Sequence, residues 1–170
     1  MLEILQYTLP SLIMLAAVYF VARAMLQYAG QKTQAEVKLK ETEISLPIRL
    51  QAYERVSLLL ERIAPESLLI RVNKPGMTAL QLQAELMAAI RAEFEHNLSQ
   101  QIYMSDKAWD MVRNARNQVT LIINKTAISN NAQTTSTELS KKIIDSLSEL
   151  TKSPVQEALD FIKNEARQLF

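Results

Sequence analysis

Residues 9–26 read LPSLIMLAAVYFVARAML, and the fold of the whole chain turns on what surrounds them. The uncharged run is longer than this quotation. From Ile4 to Ala22 no Asp, Glu, Lys or Arg occurs. Nineteen residues in helical form extend about 28 Å, close to the hydrocarbon thickness of a bilayer. Pro10 falls near the start, where a helix has no partner for the missing N–H. Arg23 closes the run and can extend its guanidinium towards headgroups while its stem stays in the apolar layer. A cleaved secretion signal begins with basic residues. Here only Glu3 carries charge ahead of the run, and the Ala22-Arg23-Ala24 triplet makes a poor cleavage site. We therefore expect residues 1–30 to be an uncleaved, single-pass transmembrane anchor, with a buried helix of a globular core as the competing reading. Arg23, Lys32, Lys38 and Lys40 all follow the span. Basic flanks stay on the cytoplasmic side, so the N-terminus is expected outside and the rest of the chain in the cytoplasm.

Beyond the anchor, composition bounds the answer. The 170 residues are 48% hydrophobic and 22% charged, which excludes disorder throughout. A net charge of +1 offers no clustered basic face for nucleic acid. The chain has no cysteine, which excludes disulfides and thiolate metal sites. Two glycines and five prolines are too few for the turns of a sheet-rich protein. The expectation is all-α: the anchor, a polar stalk over 31–46, and a cytoplasmic domain over 47–170 built as a bundle of about five amphipathic helices.

The periodicities place those helices. Residues 31–44, QKTQAEVKLKETEI, are polar almost all round, as in a solvated spacer. Pro47 suits the first turn of the next helix, whose stripe is Ala52, Val56, Leu59, Leu60 and Ile63. Leu50 and Leu58 fall off that stripe. Residues 68–72, LLIRV, are open to a short strand or a 3₁₀ turn. Thr78 with Gln81 forms a capping box ahead of Leu82, Leu86, Ile90, Phe94 and Leu98, with Arg91 and Glu95 paired outside. Ser105 caps a helix with the stripe Ala108, Val112, Ala115, Val119, Ile122 and Thr126. Thr135 with Glu138, and Ser153 with Gln156, supply two more capping boxes.

Chemistry is sparse. His96 is the only histidine, and with Glu93 it has the E-x-x-H spacing of di-iron bundles. Those sites need a second such motif, so neither a metal nor any other cofactor is expected. No catalytic set is present, and we read the protein as a non-enzyme. More apolar residues occur than the stripes need, among them Leu50, Leu58, Leu68, Ile70, Met77, Met87, Met104 and Met111. Surplus of this kind either fills the core or marks a protein-binding surface.

Three strings carry a resemblance: LPIRLQAYERVSLLLERIAPESLLIRV, EFEHNLSQQIYMSDKAW and the closing FIKNEARQLF. They resemble a family of small uncharacterised bacterial proteins with one N-terminal transmembrane helix and a helical cytoplasmic domain. The resemblance implies a bacterial source and an inner-membrane location, and brings no activity, cofactor or site residues.

The functional expectation is a membrane-tethered adaptor or scaffold that binds a protein partner at the inner membrane. Its recognition patch is expected at Glu93, His96, Asn97, Gln100, Gln101, Tyr103 and Trp109. The alternatives are an accessory subunit of a larger integral-membrane complex, a homo-oligomer, and a metal- or ligand-binding bundle using Glu93 and His96.

Overall fold

A computed structural model describes the backbone over residues 2–128 and 134–169; the side chains of 1–13, 16, 29–39, 41 and 42 lie outside the described set. Among the described residues the chain is all-helical, with no strand. It divides into two units, residues 1–45 and 46–170.

The first unit lies within helix α1 (Leu2–Ile63). Large exposed apolar side chains run along it, with the rings of Tyr19 and Phe20 edge to face, centroids 5.8 Å apart. Met14, Leu15, Val18, Tyr19, Phe20, Val21, Met25, Leu26 and Tyr28 are all 58–75% exposed. Among the described residues no helix is long and apolar enough to cross a membrane. Much of the expected span, residues 4–13, falls on side chains outside the described set.

The second unit holds the core. From Ala52 to Ile63, α1 buries Ala52, Tyr53, Val56, Leu59, Leu60 and Ile63. That is the stripe read from the sequence, with Tyr53 added. Pro47 does not open a helix as expected but lies inside α1. It has no N–H to donate along the helix, normally a cost of about 3 kcal/mol. The cost falls next to the boundary between the two units, after Ser45.

Helix α2 (Pro65–Val72) begins on a proline at its first turn and buries Leu68 and Leu69. The short strand considered for 68–72 is therefore a correction: these residues are helical. An isolated strand there has no pairing partner in the unit. Gly76, at φ +84°, makes the turn to α3 in a conformation that disfavours a side chain. Helix α3 (Ala79–His96) opens on the Thr78–Gln81 capping box and buries Leu82, Leu86, Ile90 and Phe94. Leu98 was expected to continue that stripe. It is exposed instead, because Asn97 caps the helix and the chain enters a 3₁₀ segment (Leu98–Tyr103) that buries none of its residues.

Helix α4 (Asp106–Ile128) begins where the Ala108 N–H donates to Ser105 Oγ at 3.0 Å. Its stripe passes through Ile123 rather than the expected Ile122 and ends, as expected, on Thr126. Helix α5 (Ser136–Ser148) opens on the Thr135–Glu138 box. Helix α6 (Pro154–Arg167) has proline at its start, but Ser153 makes no side-chain cap bond, so the third expected box is absent. Helix α4 packs on α6, α5 and α3. Thr78 and Thr135, the caps of α3 and α5, face each other in an antiparallel bridge. The Ala79 N–H donates to the Thr134 carbonyl at 3.0 Å, and the Ser136 N–H to the Met77 carbonyl at 3.2 Å.

Candidate functional site: a basic groove beside α3

The end of α3 meets α1 and α2 at Glu93. Its carboxylate accepts from Arg62 of α1 (Nη2 at 2.6 Å, Nε at 2.7 Å) and pairs with Arg71 of α2 at 3.4 Å. Arg71 also donates to the Arg62 carbonyl at 3.2 Å. Glu93 is only 17% exposed, so it ties three helices together. A charged group held this way is costly to remove, because its partners are left unmatched. The E-x-x-H spacing thus serves a different end: Glu93 turns to arginines, while His96 faces solvent one turn on. Among the described residues no group of three or more His, Cys, Asp or Glu could hold a metal.

Two other residues expected at the surface are also drawn inward. Asn97 is buried; its Nδ2 donates to the Glu93 carbonyl at 2.9 Å and its backbone N–H ends α3 on the Phe94 carbonyl. Trp109 is buried against Phe94, ring centroids 5.3 Å apart and tilted by 32°. Arg116 lies over the Phe94 ring at 4.1 Å, a cation–π contact. Arg91 and Glu95, expected as a pair, form no ion pair among the described residues. Of the expected patch, His96, Gln101 and Tyr103 are exposed and Gln100 is half-buried.

Of the expected patch, Glu93, His96 and Asn97 border a hollow of about 580 Å³ between α1 and the end of α3. Arg55, Leu58 and Arg62 line one side; Glu93, His96 and Asn97 line the other. Leu58 is 55% exposed although it stands one position before the buried Leu59. The 3₁₀ segment leaves the hollow at Asn97 and returns to α1 at Tyr103, whose carbonyl accepts from Arg49 Nε at 3.3 Å. Along it Leu98, Ile102 and Tyr103 are exposed. The arginines on α1 were missed in the sequence reading. The available signal was Leu58, an apolar residue off the stripe.

A second polar cluster was missed altogether. Tyr53 Oη donates to Glu165 Oε1, Ser105 Oγ donates to Glu165 Oε2 at 2.6 Å, and the Ser105 N–H donates to Glu165 Oε1 at 3.2 Å. The cluster joins α1, the start of α4 and α6. Burial, and then the Glu165 carboxylate, push the Tyr53 phenol up to about 12. Burial raises the Glu165 carboxyl, but the Ser105 and Tyr53 hydroxyls, the Ser105 N–H and Arg49 outweigh it, leaving the group below its ordinary range. A phenol held protonated and a carboxylate held ionised make a mutual donor–acceptor lock, not an acid–base pair poised near neutrality.

The family model described as "Family of unknown function (DUF7935)" matches residues 1–169. The chain belongs to this family. No curated protein and no solved structure matches it. The family assignment covers the apolar front and the helical unit alike, and assigns neither a bacterial source nor a transmembrane helix.

Proposed function

We propose that the protein is a non-enzymatic adaptor, tethered to the bacterial inner membrane by the front of α1, with its helical unit in the cytoplasm binding a protein partner. One observation carries the tether. Val18, Tyr19, Phe20 and Val21 are consecutive and all exposed. At 100° per residue they point to every side of the helix. A helix apolar all round is stable only when something apolar covers all of it. The uncharged run over 4–22, Arg23 at its edge and the basic residues after it favour lipid as that cover, with the basic end inside. The adaptor half rests on the exposed apolar residues at and beside the groove.

The test is fractionation of the intact chain expressed in a bacterial cell. Retention in the membrane pellet after carbonate washing is expected, with a C-terminal reporter active in the cytoplasm and silent in the periplasm. Release by carbonate, or a reporter active only in the periplasm, overturns the tether and its orientation.

A further inference from the structure

We propose that the hollow between α1 and α3, with the 3₁₀ segment as its lip, seats an acidic amphipathic helix of the partner protein; this rests on the adaptor reading above and gives the partner its chemistry. Of the residues that line the groove, Leu58 on α1 is an exposed apolar side chain; beyond Asn97, at the groove's edge, the 3₁₀ segment carries Leu98 and Ile102, also exposed. Apolar residues flanking a concave channel are what the apolar face of a helix fills, with anchors at i, i+3, i+4 and i+7.

The lip is held before anything binds. Asn97 fixes its start and Arg49 holds the Tyr103 carbonyl at its end. A surface ordered in advance loses less conformational freedom on association. None of the segment's residues is fully buried, and Ile102 keeps 75% of its surface exposed.

Charge selects the occupant. Arg55 and Arg62 line the groove with one carboxylate, Glu93, which is committed to Arg62 and to Arg71 of α2. Arg55 has no ion pair among the described residues, and His96 adds a donor on the opposite wall. The lining carries an excess of positive charge, which favours carboxylates beside the partner's apolar anchors. A second copy docking groove to groove across a twofold axis sets this positive lining against its own image, which is repulsive. A bilayer surface carries the right sign, but it is flat where this site is recessed.

The experiment uses the full chain in detergent micelles and two fluorescent helical peptides of equal length. Both carry leucines at i, i+3, i+4 and i+7; one has glutamates on the flanks, the other lysines. The glutamate peptide is expected to bind and the lysine peptide not. Arg55→Glu is expected to weaken the glutamate peptide about tenfold or more and to admit the lysine peptide. Leu58→Ser is expected to weaken the glutamate peptide, and Leu121→Ser, on exposed α4 surface, to leave it unchanged. All three positions are exposed, and an unchanged thermal transition confirms that each variant is folded. Equal binding of both peptides, binding of neither, or full affinity in Arg55→Glu overturns the proposal. So does displacement of the glutamate peptide by micromolar dihexanoyl phosphatidylglycerol but not by dihexanoyl phosphatidylcholine, which assigns the groove to a lipid headgroup. Carbonate fractionation separates the two claims: a chain that stays in the membrane yet ignores both peptides loses this inference alone, and a chain stripped from it loses the tether whatever the peptides do.

Discussion

Two stretches of the same helix carry similar loads of apolar side chains and dispose of them in opposite ways. Between Met14 and Tyr28 the large apolar residues are exposed on every side. Between Ala52 and Ile63 Val56, Leu59, Leu60 and Ile63 are each 0% exposed, while Glu54, Arg55, Glu61 and Arg62 take the opposite face. Large apolar side chains do not separate the two; the charged residues between them do, and they set the pattern: Glu54, Arg55, Glu61 and Arg62 in the second stretch, Arg23 alone in the first. A stripe at i, i+3, i+4 and i+7 has one direction to be buried in, and a protein core supplies it. A run without polar interruption has no such direction, and calls for an environment that is apolar all round.

The comparison breaks first at the front. Asp substituted at both Val18 and Val21 places two charges in the apolar run, at about 2.5–3.5 kcal/mol each near the centre of a bilayer-spanning helix. The doubly substituted chain is expected to leave the membrane pellet on carbonate washing, while fluorescence from Trp109, buried in the second unit, is unchanged. Loss of the Trp109 signal would mean that the front of α1 is covered by protein and not by lipid. The converse change comes next in size. Leu59→Ala removes a fully buried side chain, which costs roughly 2–5 kcal/mol when the cavity does not collapse. Urea unfolding followed by Trp109 should show the loss, with carbonate retention unaltered.

Much of the second unit was legible in the sequence because its signals are local. The Thr78 and Thr135 boxes each lie within four residues, and both form. The stripes of α3 and α4 follow from helical periodicity and miss at single positions: Leu98 beyond the Asn97 cap, and Ile122 beside the buried Ile123. What escaped the reading depends on distant partners. Tyr53 at the edge of a buried stripe implies that its hydroxyl finds a partner, but nothing near it indicates Glu165. Glu93 and His96 share a helix with a metal-like spacing, yet Arg62 and Arg71, well before them in the chain, claim the carboxylate. Trp109 read as part of a surface patch because Phe94, which it packs against, is on another helix. The groove escaped for the same reason, since α1, α3 and the 3₁₀ segment make it jointly.

The Tyr53–Ser105–Glu165 lock offers the next test, because the front of α1 has no counterpart to it among the described side chains. Tyr53→Phe removes a donor to a charged acceptor, an interaction worth roughly 1.5–3 kcal/mol. The pH dependence has two limbs of opposite origin. Glu165 is held below its ordinary range in the folded state, so its contribution is present above the ordinary carboxylate range and is lost as pH falls through the folded value. Tyr53 is held up to about 12, so its contribution is complete below the ordinary tyrosine value and is lost as pH rises from there through the folded value. Glu165→Gln should flatten the acid limb of stability against pH, and Tyr53→Phe the alkaline limb. Membrane retention should follow neither. If both limbs persist in the two variants, other groups carry the pH dependence.

The smallest effects come from the helix caps, and there the comparison is sharpest because three similar-looking signals behave differently. Thr78 and Thr135 each accept from the backbone N–H three residues on, at 3.2 Å and 3.3 Å, while Ser153 makes no such bond. Thr78→Ala and Thr135→Ala should each cost about 0.5–2 kcal/mol; Ser153→Ala should be close to neutral. The two threonines also face each other across the bridge between the starts of α3 and α5. Removing one cap loosens the backbone that the other helps to hold, so the double substitution should depart from the sum of the singles, as neighbouring sites do. Urea unfolding of the three single variants and the double, read at Trp109, measures both the contrast and the coupling. Strict additivity would mean that the caps act only within their own helices, and that the bridge contributes nothing to how α3 and α5 are held together.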